Sequence, residues 1–96
     1  MFMRLSEEER IFLKKCAKRI DEEAEVFLFG SRVDDEKRGG DIDLLVVSKK
    51  FDRKKVRQLR LDFFKRFGEQ KIDIVVDDGG WKEPFHRIIR DQAVPL

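Results

Sequence analysis

The sequence has few of the features that mark secreted, disulfide-linked or membrane-spanning proteins. Its 96 residues include one cysteine, Cys16, which cannot form an internal disulfide. No apolar run approaches the roughly 20 residues that a membrane span requires. Residues 1–10 also lack the apolar stretch of a secretion signal. We therefore expect a cytoplasmic protein with no membrane-embedded segment.

The sequence also lacks a large excess of charge of either sign. It contains 22 basic and 20 acidic residues, so its formal net charge is +2. A protein that binds nucleic acid through its backbone needs cations to neutralise many phosphates. The whole-chain charge therefore argues against direct nucleic-acid binding. Because 96 residues suffice for one hydrophobic core and no second lobe, we expect residues 1–96 to form one domain.

Hydrophobic periodicity and helix-capping residues predict alternating helices and strands. No internal repeat or linker interrupts the pattern. The predicted helices are 7–20, one between Asp52 and Gly68, and one that begins at Pro84; the predicted strands are 25–29, 41–47 and 71–77. With at most a short helix in 31–40, the order is αβ(α)βαβα. This order predicts an α/β (α+β) fold with a three-stranded mixed sheet flanked by helices.

Two carboxylates stand at the start of the second predicted strand. Asp41 and Asp43 are two residues apart, so in a strand they project from the same face, about 7 Å from each other. Carboxylates this close repel each other unless a cation lies between them. Magnesium prefers carboxylate and triphosphate oxygens, and a pair of such ions about 3.5 to 4 Å apart recurs in phosphoryl transfer. The pair therefore predicts a metal site.

A glycine-serine turn ends the first predicted strand. Gly30 has no Cβ and lets the backbone approach a bulky anion, while Ser31 adds a hydroxyl and an N–H, so a triphosphate fits this turn. If the turn faces the Asp41–Asp43 pair, the first two strands must be antiparallel. The helix that joins the second and third strands favours parallel pairing. This arrangement brings Asp73, near the start of the third strand, to the same edge of the sheet.

The stretch LFGSRVDDEKRGGDIDLLVV at residues 28–47 resembles the signature of the DNA polymerase β nucleotidyltransferase superfamily. In that signature a glycine-serine turn precedes an Asp-x-Asp strand, and a later strand contributes a third aspartate. The chain most resembles the minimal nucleotidyltransferases, stand-alone domains of about this length. Many of them are encoded beside a HEPN-domain protein as the antitoxin of a toxin–antitoxin pair.

The resemblance implies a role for each residue of the two motifs. Asp41 and Asp43 would ligate two magnesium ions, and Asp73 would ligate the catalytic ion and help to activate the acceptor hydroxyl. The terminal phosphates of ATP would be held by Gly30, Ser31 and Arg32. The implied activity is the magnesium-dependent transfer of AMP from ATP to an acceptor hydroxyl. The acceptor expected from the resemblance is a tyrosine of a HEPN-family toxin.

A second hypothesis comes from a different class of protein. Many antitoxin members have a second arginine two positions after the first, where this chain has Asp34, and their following loop is often slightly longer. Lys37 or Arg38 could replace the missing phosphate contact, but cations in such a loop are more often simply solvated. The domain could instead be an inert binding module that neutralises a partner protein by occlusion. Transfer to a small drug, as in aminoglycoside nucleotidyltransferases, fits less well because those enzymes cradle the acceptor with a second domain.

Several of these residues also have an ordinary structural explanation. Asp41 and Asp43 could mark the polar end of an amphipathic strand, and Gly30 could be only a strand-ending turn. For His86, the sole histidine, we expect a surface or capping role. For Trp81 we expect packing against a helix rather than stacking on a base.

Overall fold

The structure of the protein is a computed structural model, and it describes residues 5–30 and 42–96. The helices are α1 (Glu7–Ile20), α2 (Arg53–Phe67) and α3 (Pro84–Gln92), and the strands are β1 (Glu25–Phe29), β2 (Ile42–Val47), β3 (Ile72–Asp77) and β4 (Val94–Pro95). The short helix predicted in 31–40 and the predicted first strand residue Asp41 lie outside the described residues. None of the helices in the described ranges is long and apolar enough to cross a membrane.

The two long helices begin and end at residues whose chemistry favours helix termini. The Ser6 hydroxyl accepts a hydrogen bond from the Glu9 N–H at 3.1 Å, and the Glu9 carboxylate accepts one from the Ser6 N–H at 2.9 Å. Asp52 caps α2 by accepting from the Lys55 N–H at 2.9 Å, and Gly68 ends that helix with a φ of 89°. Caps of this kind stabilise a helix by about 1 kcal/mol each. Both predicted helices are confirmed.

The four strands form one mixed sheet in the order β3-β2-β1-β4. The predicted antiparallel pairing of β1 with β2 and parallel pairing of β2 with β3 are confirmed. The expectation of three strands is corrected by β4, which pairs antiparallel with β1 and places Val94 opposite Leu28. A two-residue strand that contains Pro95 carries little sequence signal. Its proline is tolerated because β4 lies at the edge of the sheet.

One face of the sheet is covered by α1 and α2. Alternate residues of each strand project toward these helices and form the main core. Phe63 of α2 is fully buried there, and Phe64 and Phe67 are partly buried side chains that pack against the same core. The core cluster comprises Leu13, Cys16, Ala17, Ala24, Val26, Leu28, Ile42, Leu44, Val46, Leu59, Phe63, Ile72 and Leu96. Fully burying a large apolar side chain stabilises the fold by about 1.5–3 kcal/mol.

The opposite face of the sheet carries the other set of alternating strand residues. On β3 this set comprises Asp73, Val75 and Asp77. His86 of α3 lies 2.8 Å from Asp77 through its Nδ1 atom, so α3 lies on this second face, away from α1 and α2. Ile89 is the buried residue of α3.

Candidate active site

Three neighbouring strands each contribute one residue to a row across the second face of the sheet. Phe29 at the end of β1 pairs with Asp43 near the start of β2, and Asp43 pairs with Asp73 near the start of β3. Directly paired residues project from the same face, and neighbouring strands lie about 4.8 Å apart. The predicted convergence of Asp73 with Asp43 at one edge of the sheet is therefore confirmed. We call these two residues the aspartate pair.

The apolar neighbours of the two acids fix the strand register. Asp43 and Asp73 are each the second residue of a strand, and each follows a buried isoleucine, Ile42 or Ile72, that points into the main core. A slip of one residue would place both carboxylates in that core, so the register is strongly specified. Arg60 of α2 reinforces the start of β3, because its Nε–H donates to the Ile72 carbonyl at 3.2 Å.

The aspartate pair is accessible from solvent. Asp73 is exposed and Asp43 is half-buried. Ile72 and Ile74 do not surround Asp73, because strand alternation directs both of them to the other face, toward the main core. Asp73 therefore avoids the large cost of burying an unpaired carboxylate.

Gly30 lies immediately beyond the row, against the Asp43 carboxylate. Its φ is 76°, in the left-handed region that favours glycine. A Cβ at this position would overlap the Oδ2 atom of Asp43 and come within 3.2 Å of its Cγ. Two independent constraints, conformation and space, therefore require glycine here. The Gly30 backbone approaches the Asp43 carboxylate closely because residue 30 has no side chain.

The aspartate pair suits a hard divalent cation. Magnesium is usually bound through one or two carboxylates, and water and substrate phosphates complete its coordination. Asp43 and Asp73 provide such a donor set, because their carboxylates come from neighbouring strands, are accessible to solvent and lie beside Gly30, which has no side chain. Within residues 5–30 and 42–96 no group of three or more acids, histidines or cysteines lies close enough to hold a metal ion. The third predicted ligand, Asp41, lies outside the described residues.

The structure thus brings together three of the six predicted site residues. Gly30, Asp43 and Asp73 converge at one edge of the sheet. The other three, Ser31, Arg32 and Asp41, lie outside the described residues, as do Lys37 and Arg38. The roles assigned to all six by resemblance stay predictions.

The opposite edge of the sheet contains a buried acid that the sequence analysis did not single out. Asp77, at the end of β3, is 5% exposed. Its Oδ1 lies 2.8 Å from His86 Nδ1, and its Oδ2 accepts from the N–H groups of Gly79 at 2.7 Å and Trp81 at 3.2 Å. Burial raises the pKa of Asp77, but the hydrogen bonds from His86 and from these backbone groups outweigh it, so the pKa is lowered overall.

A second buried acid, Asp21, lies beyond the end of α1. Its Oδ2 accepts from the Ser48 hydroxyl at 2.6 Å, and its Oδ1 accepts from the Glu23 N–H at 3.0 Å. The hydrogen bond from Ser48, followed by the one from Glu23, lowers the pKa of Asp21 despite burial. Sequence alone offers a weak signal for Asp21 and Asp77, since each directly follows a helix or ends a strand, where nearby donors are common.

The contacts of His86 and Trp81 explain how α3 is attached. The expectation of a surface or capping role for His86 is wrong, because this half-buried side chain joins α3 to Asp77. Trp81 is half-buried, and the Arg90 guanidinium of α3 lies over its ring at 4.7 Å from the centroid. The predicted packing role of Trp81 is therefore confirmed.

Comparison with known proteins identifies the family. A search of curated protein sequences found no match to this chain. A family model described as a nucleotidyltransferase domain matches residues 10–94, from within α1 to β4. The matched region includes the aspartate pair and Gly30, and the small α+β architecture is consistent with a nucleotidyltransferase fold. On this match the chain belongs to the nucleotidyltransferase domain family.

Proposed function

We propose that this domain transfers AMP from ATP to an acceptor hydroxyl, with magnesium as its cofactor. The observation that carries the proposal is the side-by-side pairing of Asp43 and Asp73 at a solvent-accessible edge, directly beside Gly30. Membership of the family supports nucleotidyl transfer in general. The paired carboxylates favour its metal-dependent form, because hard divalent cations bind carboxylate and phosphate oxygens together.

The proposed reaction assigns a task to each site residue. Asp41, Asp43 and Asp73 would hold magnesium, which when bound neutralises the triphosphate and stabilises the charge that develops in the transition state. The acceptor oxygen forms a bond to the α-phosphorus as the bond to the pyrophosphate oxygen breaks, and pyrophosphate leaves. Asp73 accepts the proton of the acceptor hydroxyl.

The turn at the end of β1 would orient the nucleotide. Gly30 keeps the space beside the Asp43 carboxylate free of a side chain. Ser31 and Arg32 would bind the terminal phosphates through a hydroxyl, a backbone N–H and a guanidinium. Binding of the triphosphate at this turn would bring its α-phosphate close to the aspartate pair, and such positioning supplies much of the catalysis of phosphoryl transfer.

We further propose that the acceptor is a side-chain hydroxyl of a protein, a tyrosine of a HEPN-family toxin. The row that holds Asp43 and Asp73 opens to solvent, so an acceptor has to be positioned in line with the α-phosphate by contacts of its own. A protein acceptor brings a docking surface for that purpose. The attached AMP would add negative charge and bulk to the toxin and thereby neutralise it.

The direct test is mass spectrometry of the candidate toxin after incubation with the domain, magnesium and ATP. We expect an AMP adduct on a hydroxyl side chain, and no adduct with the Asp41→Asn/Asp43→Asn variant. Asp78→Asn is the matched control, because Asp78 is an exposed acid just beyond the opposite end of β3. The site assignment is wrong if the double variant transfers AMP as well as the parent does.

Exposed apolar side chains on α3 favour the second candidate function, neutralisation by occlusion. Phe85 and Ile88 lie about one turn apart on this helix and are 61% and 58% exposed. An exposed apolar patch of this kind often marks a protein interface. A toxin that is inhibited without ATP, remains unmodified, and escapes inhibition by a Phe85→Ser/Ile88→Ser variant would establish occlusion in place of transfer.

A further inference from the structure

Charge is distributed unevenly between the helices α1 and α2 and the rest of the chain. The helices α1 and α2 contain 12 of the 22 basic residues and 4 of the 20 acidic residues, so their formal charge is +8 and that of the remaining chain is −6. Both helices lie on the face away from the aspartate pair. The net charge of +2 therefore conceals a cationic helical layer and an anionic remainder.

Six exposed cations line two adjoining depressions in this layer, and five of them form no ion pair with another described residue. A shallow depression runs along α1, and a second one lies between α1 and α2; Arg19 lines both and joins them. We call these five residues the cationic helical surface: Lys14, Lys15, Lys18, Arg19 and Lys65. Asp62 is the sole acid among the described residues that line either depression.

The cations of this surface are largely uncompensated by acids. Within the part of the chain that the structure describes, none of the five forms an ion pair. Lys18 donates instead to the backbone carbonyl of Ala24 at 3.0 Å. The neighbouring Arg10 and Arg66, by contrast, are paired with Glu7 and Glu8. Clustered like charges create a positive potential that attracts a polyanion.

The side chains of the surface fit a phosphodiester backbone better than an acidic protein. Four of the five are lysines, which are depleted at protein–protein interfaces but bind phosphates well as point charges. Single-stranded nucleic acids are usually bound by aromatic rings on which the bases stack. The one ring among the described residues that line the depressions, Phe12, is half-buried, and the Arg66 guanidinium lies over it at 5.6 Å. These features favour a duplex.

We infer that the cationic helical surface binds the sugar-phosphate backbone of a nucleic-acid duplex, without regard to base sequence. The binding face lies on the side of the sheet away from Asp43 and Asp73, and the inference does not rest on the proposed transferase function. The whole-chain charge argues against such binding only because it averages over these two cationic helices and the anionic remainder of the chain. A local potential, not the net charge, determines binding at a surface.

The test is a titration of the full chain against RNA and DNA duplexes of the same sequence, followed by fluorescence anisotropy at several salt concentrations. The test variant is Lys14→Gln/Lys15→Gln/Arg19→Gln/Lys65→Gln, which spares Lys18 because of its backbone hydrogen bond. The matched control is Lys49→Gln/Lys50→Gln/Lys82→Gln/Arg87→Gln, which removes the same charge from exposed residues outside α1 and α2. Thermal unfolding of both variants checks that the fold is retained.

We expect the parent to bind duplex with a slope of log affinity against log salt of about −4, since four or five phosphates are neutralised. The test variant should lose at least about tenfold in affinity at low salt, and its slope should fall to about −1 or less in magnitude. The control variant should stay within about threefold of the parent.

Three results would overturn the inference. The first is a parent that binds neither duplex at low salt. The second is an equal loss of affinity in both variants, which would make net charge rather than this face responsible. The third is equally tight binding of polyglutamate with the same salt dependence, which would assign the face to an acidic protein.

Discussion

Aspartates lie near both ends of the strands β2 and β3, and the surroundings of the aspartates differ between the two ends. At the edge where β2 and β3 begin, Asp43 and Asp73 lie side by side, one half-buried and one exposed. At the edge where β3 ends, Asp77 is buried and has hydrogen-bond partners at both of its oxygens. Asp21 near that edge is likewise buried and accepts from Ser48 and Glu23.

This difference separates buried acids that stabilise the fold from solvent-accessible acids that are available to bind a ligand. A buried carboxylate costs several kcal/mol unless donors surround it, so Asp77 contributes stability only together with its partners. The Asp73 side chain forms no hydrogen bond or ion pair that involves another described residue, and like charges paired across strands destabilise a sheet. Folding therefore gains nothing from the charge of Asp73, which is typical of a residue that function requires.

The largest expected effect is on catalysis by the Asp73→Asn variant. Removing this charge should reduce the rate of AMP transfer by about 10³-fold, because a metal ligand and a proton acceptor are lost together. The free energy of unfolding should stay the same or rise by up to about 1 kcal/mol, because repulsion with Asp43 is relieved. Initial rates of pyrophosphate release and urea denaturation measure the two quantities. A variant that is destabilised but fully active would reverse the assignment.

Two glycines, Gly30 and Gly68, test whether steric crowding of the Asp43 carboxylate affects activity. Gly30 and Gly68 both have positive φ, 76° and 89°, so alanine at either position strains the backbone by about 1–3 kcal/mol. Only at Gly30 does the added Cβ meet the Asp43 carboxylate, since nothing lies within 4 Å of a Cβ at Gly68. We expect Gly30→Ala to lose about 10²-fold in activity through displacement of that carboxylate, while Gly68→Ala keeps its activity. Equal activities in the two variants would show that the contact has no catalytic consequence.

At the other end of β3, we expect a change at Asp77 to lower stability without abolishing activity. In Asp77→Ala the N–H groups of Gly79 and Trp81 and the ring of His86 lose their acceptor, so the free energy of unfolding should fall by about 2–4 kcal/mol. The exposed Asp78, whose carboxylate accepts a single hydrogen bond, from the Gly80 N–H at 2.8 Å, provides the control, and Asp78→Ala should lose no more than about 1 kcal/mol. Urea denaturation measures both. The folded fraction of Asp77→Ala should still transfer AMP, and loss of its activity would connect this edge to the site.

The smallest expected effect is the acid dependence of stability. The pKa of Asp77 is lowered in the folded protein, so its stabilising contribution is complete above its unfolded pKa of about 3.9 and is lost as the pH falls through the folded value. Asp21, whose pKa is also lowered, contributes with the same sign. Urea denaturation at a series of acidic pH values should show a weaker dependence for Asp77→Asn than for the parent. Parallel curves would show that Asp77 does not contribute to this dependence.

Sequence patterns predict most of the fold because the signals that start and stop its long elements are local. The capping box at Ser6, the cap at Asp52 and the glycine at position 68 lie within a few residues of the helix termini that they define. The predicted convergence of Asp43 with Asp73 is confirmed for a related reason, since the helical connection between β2 and β3 favours parallel pairing, which brings the starts of the two strands together. The fourth strand was not predicted, because Val94 and Pro95 acquire strand geometry only by pairing with β1.

By itself, the sequence determined the helix and strand periods, the alternation that keeps Asp43 and Asp73 out of the core, and the position of a glycine beside them. Only the tertiary structure decided that Asp77 and His86 form a pair, and that twelve of the basic residues share one layer while the aspartate pair faces away from it. The physical reason is the separation along the chain over which each kind of interaction acts. Capping and periodicity act between residues close in the chain, whereas burial, pairing and surface potential depend on which distant residues the folded chain brings together.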